Sequence, residues 1–265
     1  MIPPDVAALL AAYDAQLRDR VPEPLPAGVH VERDGPLVRF HGLKSGGFVL
    51  YRDLGGLDGP DLDAIIARQV ATFAARDEHF EWKLHGHDRP ADLPDRLRAA
   101  GLEAEDRETI VIAPVAQVAG RPELPPGVAL REVTARTDFE RIEALEAAVW
   151  GDGRGHLADM FESERGADPA SITIVVAEAG GDVVCAAWLR FEGATDFATL
   201  WGGATLPAWR GRGIYRATVA YRAGIAAERG YQLVEVDASD DSRPILERLG
   251  FVAVTTTTPY VWSPA

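Results

Sequence analysis

The chain has 265 residues, 47% of them apolar, which is enough to bury the core of one large domain or of two domains of ordinary size. Its net charge of −14 argues against general nucleic-acid binding, because such binding relies on Lys and Arg side chains that neutralise phosphates. The single cysteine, Cys185, excludes a disulfide framework and a multi-cysteine metal site, and its apolar neighbours predict that it is buried.

Neither a signal peptide nor a membrane span is expected. The short apolar run near the N-terminus has Asp5 and no basic segment ahead of it, which is unlike a signal peptide. No apolar run reaches the ~18 residues that a membrane-spanning helix needs. We therefore expect a soluble cytoplasmic protein that binds neither membranes nor nucleic acid. The sequence does not predict an oligomeric state.

The first part of the chain predicts helices alternating with strands. An amphipathic helix follows two prolines, and a proline-rich segment at 114–127 is expected to be a linker. In chain order, the predicted elements are the amphipathic helix over 6–17, strands over 29–32, 37–41 and 47–53, a helix over 60–76, a strand over 80–85, a helix over 93–100 and a strand over 109–113.

The second part has clearer boundaries. Thr137 and Glu140 have the spacing of a capping box at the start of a helix. Gly180–Gly181 is typical of a hairpin turn, and Pro207 ends a strand because proline cannot donate to a ladder. The predicted elements are strands over 128–133, 172–179, 182–191, 197–205, 233–236 and 251–254, and helices behind Thr137, over 155–164, from the 209–217 region to about 229, and over 244–249. This order predicts a mixed sheet flanked by helices.

Two pairs of segments resemble each other. PEPLPAGVHVER (22–33) resembles PELPPGVALRE (122–132), and LRAAGLEAEDRETIVIA (97–113) resembles LERLGFVAVTTTTPYVW (246–262). Matching starts and matching ends predict two halves with one plan, which we divide into residues 1–118 and 119–265.

The segment WRGRGIYRA (209–217) lies between a predicted strand and a predicted helix. The first backbone N–H groups of a helix have no partner within it, and the helix dipole adds about half a positive charge there. Glycine allows a ligand to approach the backbone closely. Together with Arg210, Arg212 and Arg216, these features predict an anion site. The alternative is a glycine-rich surface turn with solvated arginines.

In its context this segment resembles a known motif. ATLPAWRGRGI (204–214) is similar to the cofactor motif of the GNAT (N-acetyltransferase) superfamily, where a strand and a proline precede Arg/Gln-x-x-Gly-x-Gly/Ala; Pro207, Arg210 and Gly213 match. PILERLGF (244–251) resembles the family's second motif. The resemblance covers 120–265 well and the first half only as a degenerate copy. It implies an α/β (α+β) fold with tandem mixed sheets flanked by helices.

The resemblance also implies a site. Acyl-coenzyme A would lie in a cleft where two neighbouring strands splay apart, with its pyrophosphate on the loop and its pantetheine arm along the preceding strand. An amine would attack the thioester directly and coenzyme A thiolate would leave. The implied activity is an acetyl-CoA-dependent N-acetyltransferase acting on a small-molecule or peptide amine, without a metal. The implied cofactor-binding residues are Gly203, Ala204, Thr205, Leu206, Arg210, Gly211, Arg212, Gly213, Ile214 and Tyr215.

Two departures from the family pattern bear on catalysis. The last Gly/Ala of the loop is Tyr215, and the usual Tyr four residues before the Gly of Gly-Phe is Leu246. Other groups must then serve as acid or base, since the amine has to lose a proton. The catalytic candidates are Asp196, Ser239 and Tyr260, with Glu192, Asp240 and Ser242 as further possibilities; the acceptor-lining candidates are Trp150, Asp152 and His156.

The first half lacks an equivalent loop. Where it should lie, the sequence reads LGGLDGPDLD (54–63), whose aspartates would repel a pyrophosphate, so we expect no cofactor there. His85 and His87 share a strand face but have no other evident ligands, so no metal is expected. Two alternatives to an enzyme stay open: a non-catalytic acyl-CoA-binding regulatory protein, which Leu246 favours, and a scaffold without cofactor.

Overall fold

In the computed structural model, residues 5–151 and 155–264 are described. Twelve strands of these ranges form one mixed sheet in the order β1-β2-β3-β4-β12-β6-β11-β10-β9-β8-β7, with β5 beside β12. The strands are β1 His30–Asp34, β2 Leu37–His41, β3 Gly47–Leu50, β4 Phe80–His85, β5 Glu103–Ala104, β6 Glu108–Pro114, β7 Val128–Val133, β8 Ile172–Ala179, β9 Asp182–Phe191, β10 Phe197–Thr205, β11 Leu233–Ala238 and β12 Val252–Trp262.

Helices cover both faces of the sheet. On one face Leu9 packs on Ile110 and Ile112, and on the other Val111 belongs to the core beneath α7. No helix of the described ranges is long and apolar enough to cross a membrane. The helices are α1 Val6–Gln16, α2 Gly59–Ala74, α3 Leu93–Ala99, α4 Val115–Val118, α5 Arg136–Trp150, α6 Leu157–Ala167, α7 Ile214–Glu228 and α8 Arg243–Arg248. The predicted mixed α/β fold is confirmed.

The two halves follow one plan, as the sequence repeats predicted. The order β3-α2-β4-α3-β6, with the short β5 before its last strand, matches β10-α7-β11-α8-β12, and both β3/β4 and β10/β11 are parallel pairs. The last strand of each half is exchanged. β6 pairs with β11, β12 pairs with β4, and β6 and β12 pair with each other. The halves are therefore joined into one sheet through their own final strands.

Local predictions mostly agree with the structure, and three do not. Strands β8, β9 and β10 have the predicted bounds, and Cys185 is buried. The capping box is wrong: α5 begins at Arg136 after Ala135 without a side-chain cap, and Glu140 instead accepts from Arg136 Nε at 3.1 Å. The predicted strand 251–254 is the eleven-residue β12, which is long because it pairs with β6 and then with β4.

The segment expected to be a linker is partly core. α4 buries Val115 and Val118 in the cluster beneath α7. The N–H of Val115 donates to the carbonyl of Gln232 at 2.9 Å, which fixes this segment to the start of β11. The proline content predicted a linker, but the two valines of α4 pack against the core beneath α7.

Candidate functional site

A cleft opens where β10 and β11 diverge. The two parallel strands pair at Phe197–Leu233, Ala198–Val234 and Thr199–Glu235. Beyond that point β10 continues to Thr205 and β11 to Ala238 without pairing with each other. The edge of β10 that faces β11 therefore carries backbone donors and acceptors that an extended ligand can use.

A bulge shapes the β10 side of this cleft. The register with β9 shifts between Gly202 and Ala204, which leaves Gly203 as the extra residue. Gly202 and Gly203 have φ of +68° and +97°, in the region that favours glycine. A side chain on Gly202 would collide with the ring of Trp188, and one on Gly203 with the ring of Tyr215. Glycine is thus required at both positions by the backbone and by the space available.

A buried arginine supports the bulge from below. Arg222 of α7 donates from Nη1 to the carbonyl oxygens of Trp188 at 2.8 Å and Trp201 at 2.9 Å, and from Nε to that of Thr218 at 3.1 Å. Burial lowers the pKa of Arg222 to about 10, so the guanidinium is charged at neutral pH. It holds the bulge in place and contributes positive charge beneath the cleft.

The loop after β10 ends at an uncapped helix start. A single 3-10 turn, Pro207–Trp209, leads into the loop, and Gly213 precedes α7 with φ of +83° and without a side-chain cap. Within the described ranges, the first α7 residue whose N–H reaches a backbone acceptor is Ala217, which donates to Gly213. The earlier N–H groups of the helix are free for a ligand, as at an anion site.

The loop arginines surround this helix start. Arg210, Arg212 and Arg216 are all exposed. Arg210 Nε donates back to the carbonyl of Thr205 at 3.0 Å, and the Arg212 guanidinium lies 4.6 Å above the ring of Trp209. These contacts keep two positive charges at the end of β10.

Tyr215 lies inside the cleft. Its ring packs against Gly203, and the Ser242 side chain at the entry to α8 lies close enough to act on its phenol. Burial raises the pKa of Tyr215 above its usual value. The phenol is therefore in its protonated form in the cleft at neutral pH.

The structure brings some predicted catalytic residues to the cleft and not others. Ser239 directly follows β11, and its hydroxyl lies 3.2 Å from that of Ser242. Asp196 precedes β10, roughly 20 Å along the strand from Gly203, and accepts from Gln16 at 2.9 Å. Tyr260 is buried in the core of the first half, opposite Trp82. Leu246 is buried beneath α7.

Among the acceptor-lining candidates, Trp150 ends α5 with 57% of its surface exposed, and His156 directly precedes α6. Asp152 lies outside the described residues. Trp150 and His156 flank the connection between two helices that pack on the same sheet face as α1. Glu192 is held by Arg20 Nη1 at 2.6 Å and by the Thr199 hydroxyl at 2.8 Å.

Sequence reasoning missed two carboxylates beside the cleft. Glu235 and Asp237 alternate along β11, and the Lys83 ammonium forms an ion pair with Asp237. Burial and the nearby Asp237 charge raise the pKa of Glu235 well above its usual value. The available signal was Glu235 within a strand predicted to be buried, with Asp237 directly after it, because Asp and Glu are rarely buried unless paired.

The first half has a corresponding cleft with a different entrance. β3 and β4 pair only as far as Val49–Trp82, and a cavity of about 480 Å³ lies beyond them, lined among others by Arg18, Tyr51 and Asp88. The start of α2 is closed by Asp58, whose carboxylate accepts from the Gly59 N–H at 2.6 Å.

The two histidines of the first half are held in hydrogen bonds. His85 Nε2 lies 3.0 Å from the Tyr13 hydroxyl, and His87 Nε2 lies 3.1 Å from the Asp14 carboxylate. No group of three or more metal-ligating side chains lies together within the described ranges.

Comparison with known proteins places this architecture in a class. Residues 137–251 match the family model of the acetyltransferase (GNAT) family. The matched segment contains the bulge, the loop and the uncapped helix described above. The family match therefore falls on the same segment as the motif resemblance. The sequence has no significant match among curated proteins.

Solved structures share the fold over the whole chain. A GCN5-related N-acetyltransferase from Kribbella flavida is 20% identical, with 100% of this chain and 97% of that one covered and a TM-score of 0.64. A tandem GNAT protein from the clavulanic acid biosynthesis pathway is 16% identical, with 97% and 94% covered and a TM-score of 0.63. A GCN5-related N-acetyltransferase from Sphaerobacter thermophilus is 14% identical, with 98% and 94% covered and a TM-score of 0.61. The whole chain therefore shares the fold of these structures.

Proposed function

We propose that the protein is an acetyl-CoA-dependent N-acetyltransferase with one active site, in the cleft between β10 and β11. The observation that carries the proposal is the combination of diverging parallel strands with the uncapped start of α7 at one mouth of the cleft. The proposed acceptor is a primary amine of a small molecule or of a peptide. The expected cytoplasmic location is compatible with the use of acetyl-CoA.

The loop would hold the charged end of the cofactor. The pyrophosphate accepts N–H bonds from the segment Arg210–Tyr215, and the exposed guanidinium groups add charge complementarity. The pantetheine arm adds as a strand along Gly203–Leu206, whose edge toward β11 is unpaired. A backbone N–H at the bulge can polarise the thioester carbonyl as the tetrahedral intermediate forms.

The chemical step is a direct acyl transfer. The deprotonated amine attacks the thioester carbon, a C–N bond forms, the C–S bond breaks, and coenzyme A leaves as the thiolate. Leu246 cannot protonate that thiolate, and Tyr260 and Asp196 lie away from the cleft. We assign the protonation to the Tyr215 phenol, which lies in the cleft, with Ser239 and Ser242 as its hydrogen-bonding surroundings.

A second candidate function is binding of acyl-CoA without turnover. Two observations favour it: Leu246 replaces the usual tyrosine, and the Tyr215 ring lies in the space that a pantetheine arm would enter. In that case the Tyr215 ring turns aside when acyl-CoA binds, and this conformational change is the signal that the protein transmits.

The test is a calorimetric titration of the full chain with acetyl-CoA, followed by thiol release with a panel of primary amines. We expect one site per chain with micromolar affinity, and release of coenzyme A that depends on the amine. Binding without amine-dependent release supports the regulatory protein. An absence of binding overturns both functions, and two sites per chain contradict a silent first half.

A further inference from the structure

Three charged side chains meet on the sheet face that carries α1. Glu235 and Asp237 alternate along β11 on this face, opposite Val234 and Val236, which lie in the core beneath α7. The third is Lys83 of β4, which forms an ion pair with Asp237. Strands β12 and β6 lie between β4 and β11 in the sheet, so this ion pair links the first half to the second.

Glu235 is buried and Asp237 is partly buried. Glu235 is 5% exposed, and its Oε1 has no hydrogen-bond partner in the described part of the chain. The same holds for Oδ1 of Asp237, whose other oxygen contacts Lys83 and whose side chain is 15% exposed. The two carboxyl groups lie close enough to interact, so the pair has oxygen atoms available to take up a proton.

Their position matches the end of the cleft. Thr199–Glu235 is the last pair before β10 and β11 diverge, and Asp237 lies two residues further, on the diverging part of β11. The loop, α7 and α8 lie on the opposite face. A thioester that reaches the gap from the α7 side would therefore meet these carboxylates from the other side, where 15% of the Asp237 side chain is exposed.

We propose that Asp237 and Glu235 accept the proton of the acceptor amine, and that Lys83 from the first half is the positioning residue that holds them. This inference rests on the proposed acetyltransferase function. An ammonium acceptor gives one proton to the carboxylate pair, the free amine attacks, and C–S cleavage releases the thiolate. The nitrogen loses a second proton as the amide forms, the thiolate gains one, and the carboxylate pair returns its proton to solvent.

The electrostatic surroundings favour a cationic acceptor. Glu192 acts on Glu235, Tyr13 and Glu81 act on Lys83, and Lys83 in turn acts on His85. Arg18 acts on Tyr13 and His85, and Glu105 and Glu108 act on Glu81. Burial raises the pKa of Glu81 to about 7 and raises that of Glu235 well above its usual value, whereas Lys83 lowers both. Lys83 is thus the positive charge that opposes the rise in the pKa of both Glu81 and Glu235.

The experiment compares variants of the full chain by thiol release from acetyl-CoA between pH 6 and 9, with 2-aminoethanol at high concentration as the probe amine. We expect Asp237→Asn to lower kcat/KM by about 100-fold and Glu235→Gln by about tenfold, in the range of general-base loss. Acetyl-CoA affinity should change less than about twofold, since that ligand is held on the other face. The matched control is Asp182→Asn, an exposed strand-end aspartate.

Lys83 is tested by the position of the acidic limb of the pH profile. Lys83→Met removes the charge that lowers the pKa of Glu235, so the limb should move to higher pH, and Lys83→Arg should restore it. Lys44, the other lysine of the chain, is exposed, and Lys44→Met is the control. If Lys83→Met does not fold, the neutral double variant Lys83→Met/Asp237→Asn should fold, bind acetyl-CoA and lack turnover.

The two proposals fail in different ways. If the unmodified chain releases no thiol with the probe amine, the acetyltransferase function fails and this inference falls with it. If the unmodified chain turns over and Asp237→Asn keeps its rate, or Lys83→Met lowers the rate equally at every pH, the proton-acceptor assignment is overturned while the acetyltransferase function stands.

Discussion

Helices α2 and α7 hold the same place in two copies of one plan, and they begin differently. The first N–H of α2 is occupied by the Asp58 carboxylate, so the positive end of that helix is neutralised by its own chain. α7 begins after Gly213 with no side-chain cap. The difference teaches that one cap residue decides whether the first N–H groups of the helix stay free or are occupied by the chain itself.

The buried arginines of the two halves repeat this contrast. Arg39 donates to the Glu32 carboxylate at 2.5 Å and to Gln69 at 2.8 Å, so its charge is neutralised within the first half. Arg222 donates to carbonyl oxygens, and its charge remains available to the cleft above it. Both differences leave positive charge available at the cleft of the second half, although the chain as a whole is acidic.

The largest expected effect comes from giving α7 the cap of α2. Gly213→Asp places a carboxylate at the helix start, and its Cβ has room, because the nearest atom outside the neighbouring residues would be Arg216 Nη2 at 3.4 Å. We expect acetyl-CoA affinity to fall by ~100-fold, the size of losing charge-assisted hydrogen bonds. Calorimetry measures it.

Gly213→Asn is the matched control, since Asn tolerates positive φ as Asp does and carries no charge. It should lower the affinity only a few-fold. Equal losses in the Asp and Asn variants would show that backbone strain, not the carboxylate, separates the two helix starts.

The second effect concerns the arginines. Arg222→Met removes the donor to two strand carbonyls next to the bulge, and we expect the free energy of unfolding to fall by ~3 kcal/mol in chemical denaturation. Arg39→Met should cost less, because its main partner Glu32 is largely solvated and can be hydrated. The contrast between the halves is refuted if Arg39→Met is the more damaging change.

The sequence was most informative where the signal is local. The hairpin strands β8 and β9, the end of β10 at Pro207 and the loop that follows could be read from nearby residues, because alternation, glycine and proline act over a few positions. The bulge at Gly203 could not, since it depends on which residue of β9 lies opposite.

The remainder depends on contacts far apart in the chain. The exchange of β6 and β12 brings Lys83 into contact with Asp237, which is 154 positions away in the chain. The local sequence pattern around either residue does not predict this contact. Asp196 was a reasonable candidate acid because it is near the loop in sequence. The nine-residue strand β10 nevertheless lies between Asp196 and the loop. Sequence proximity is therefore a weak guide to which side chains share the cleft, whereas the proposed cofactor loop is one continuous segment.

A third, smaller effect tests the space inside the two clefts. The first half keeps a cavity of about 480 Å³, whereas in the second the Tyr215 ring lies against Gly203. Tyr215→Ala should tighten acetyl-CoA binding by roughly three- to tenfold, because binding no longer has to displace the ring. Tyr215→Phe keeps the ring, so its affinity should match the unmodified chain while thiol release slows. Weaker binding by the Ala variant would mean that the ring contacts the cofactor instead of obstructing it.

The smallest effect is on stability and follows from the proton on Glu235. Its pKa is raised in the folded chain, so the proton stabilises the fold at pH below about 4.5, and this contribution is lost as pH rises toward the folded pKa. Glu235→Gln cannot ionise, so the variant should match the unmodified chain at pH 4 and exceed it by ~1 kcal/mol at pH 8 in urea unfolding. A variant less stable than the unmodified chain at pH 8 would mean that the ionised carboxylate is more stable in the fold than in water, and such a carboxylate would be a poor proton acceptor. The pH dependence of the free energy of unfolding therefore tests the proton-acceptor role of Glu235 without requiring a substrate.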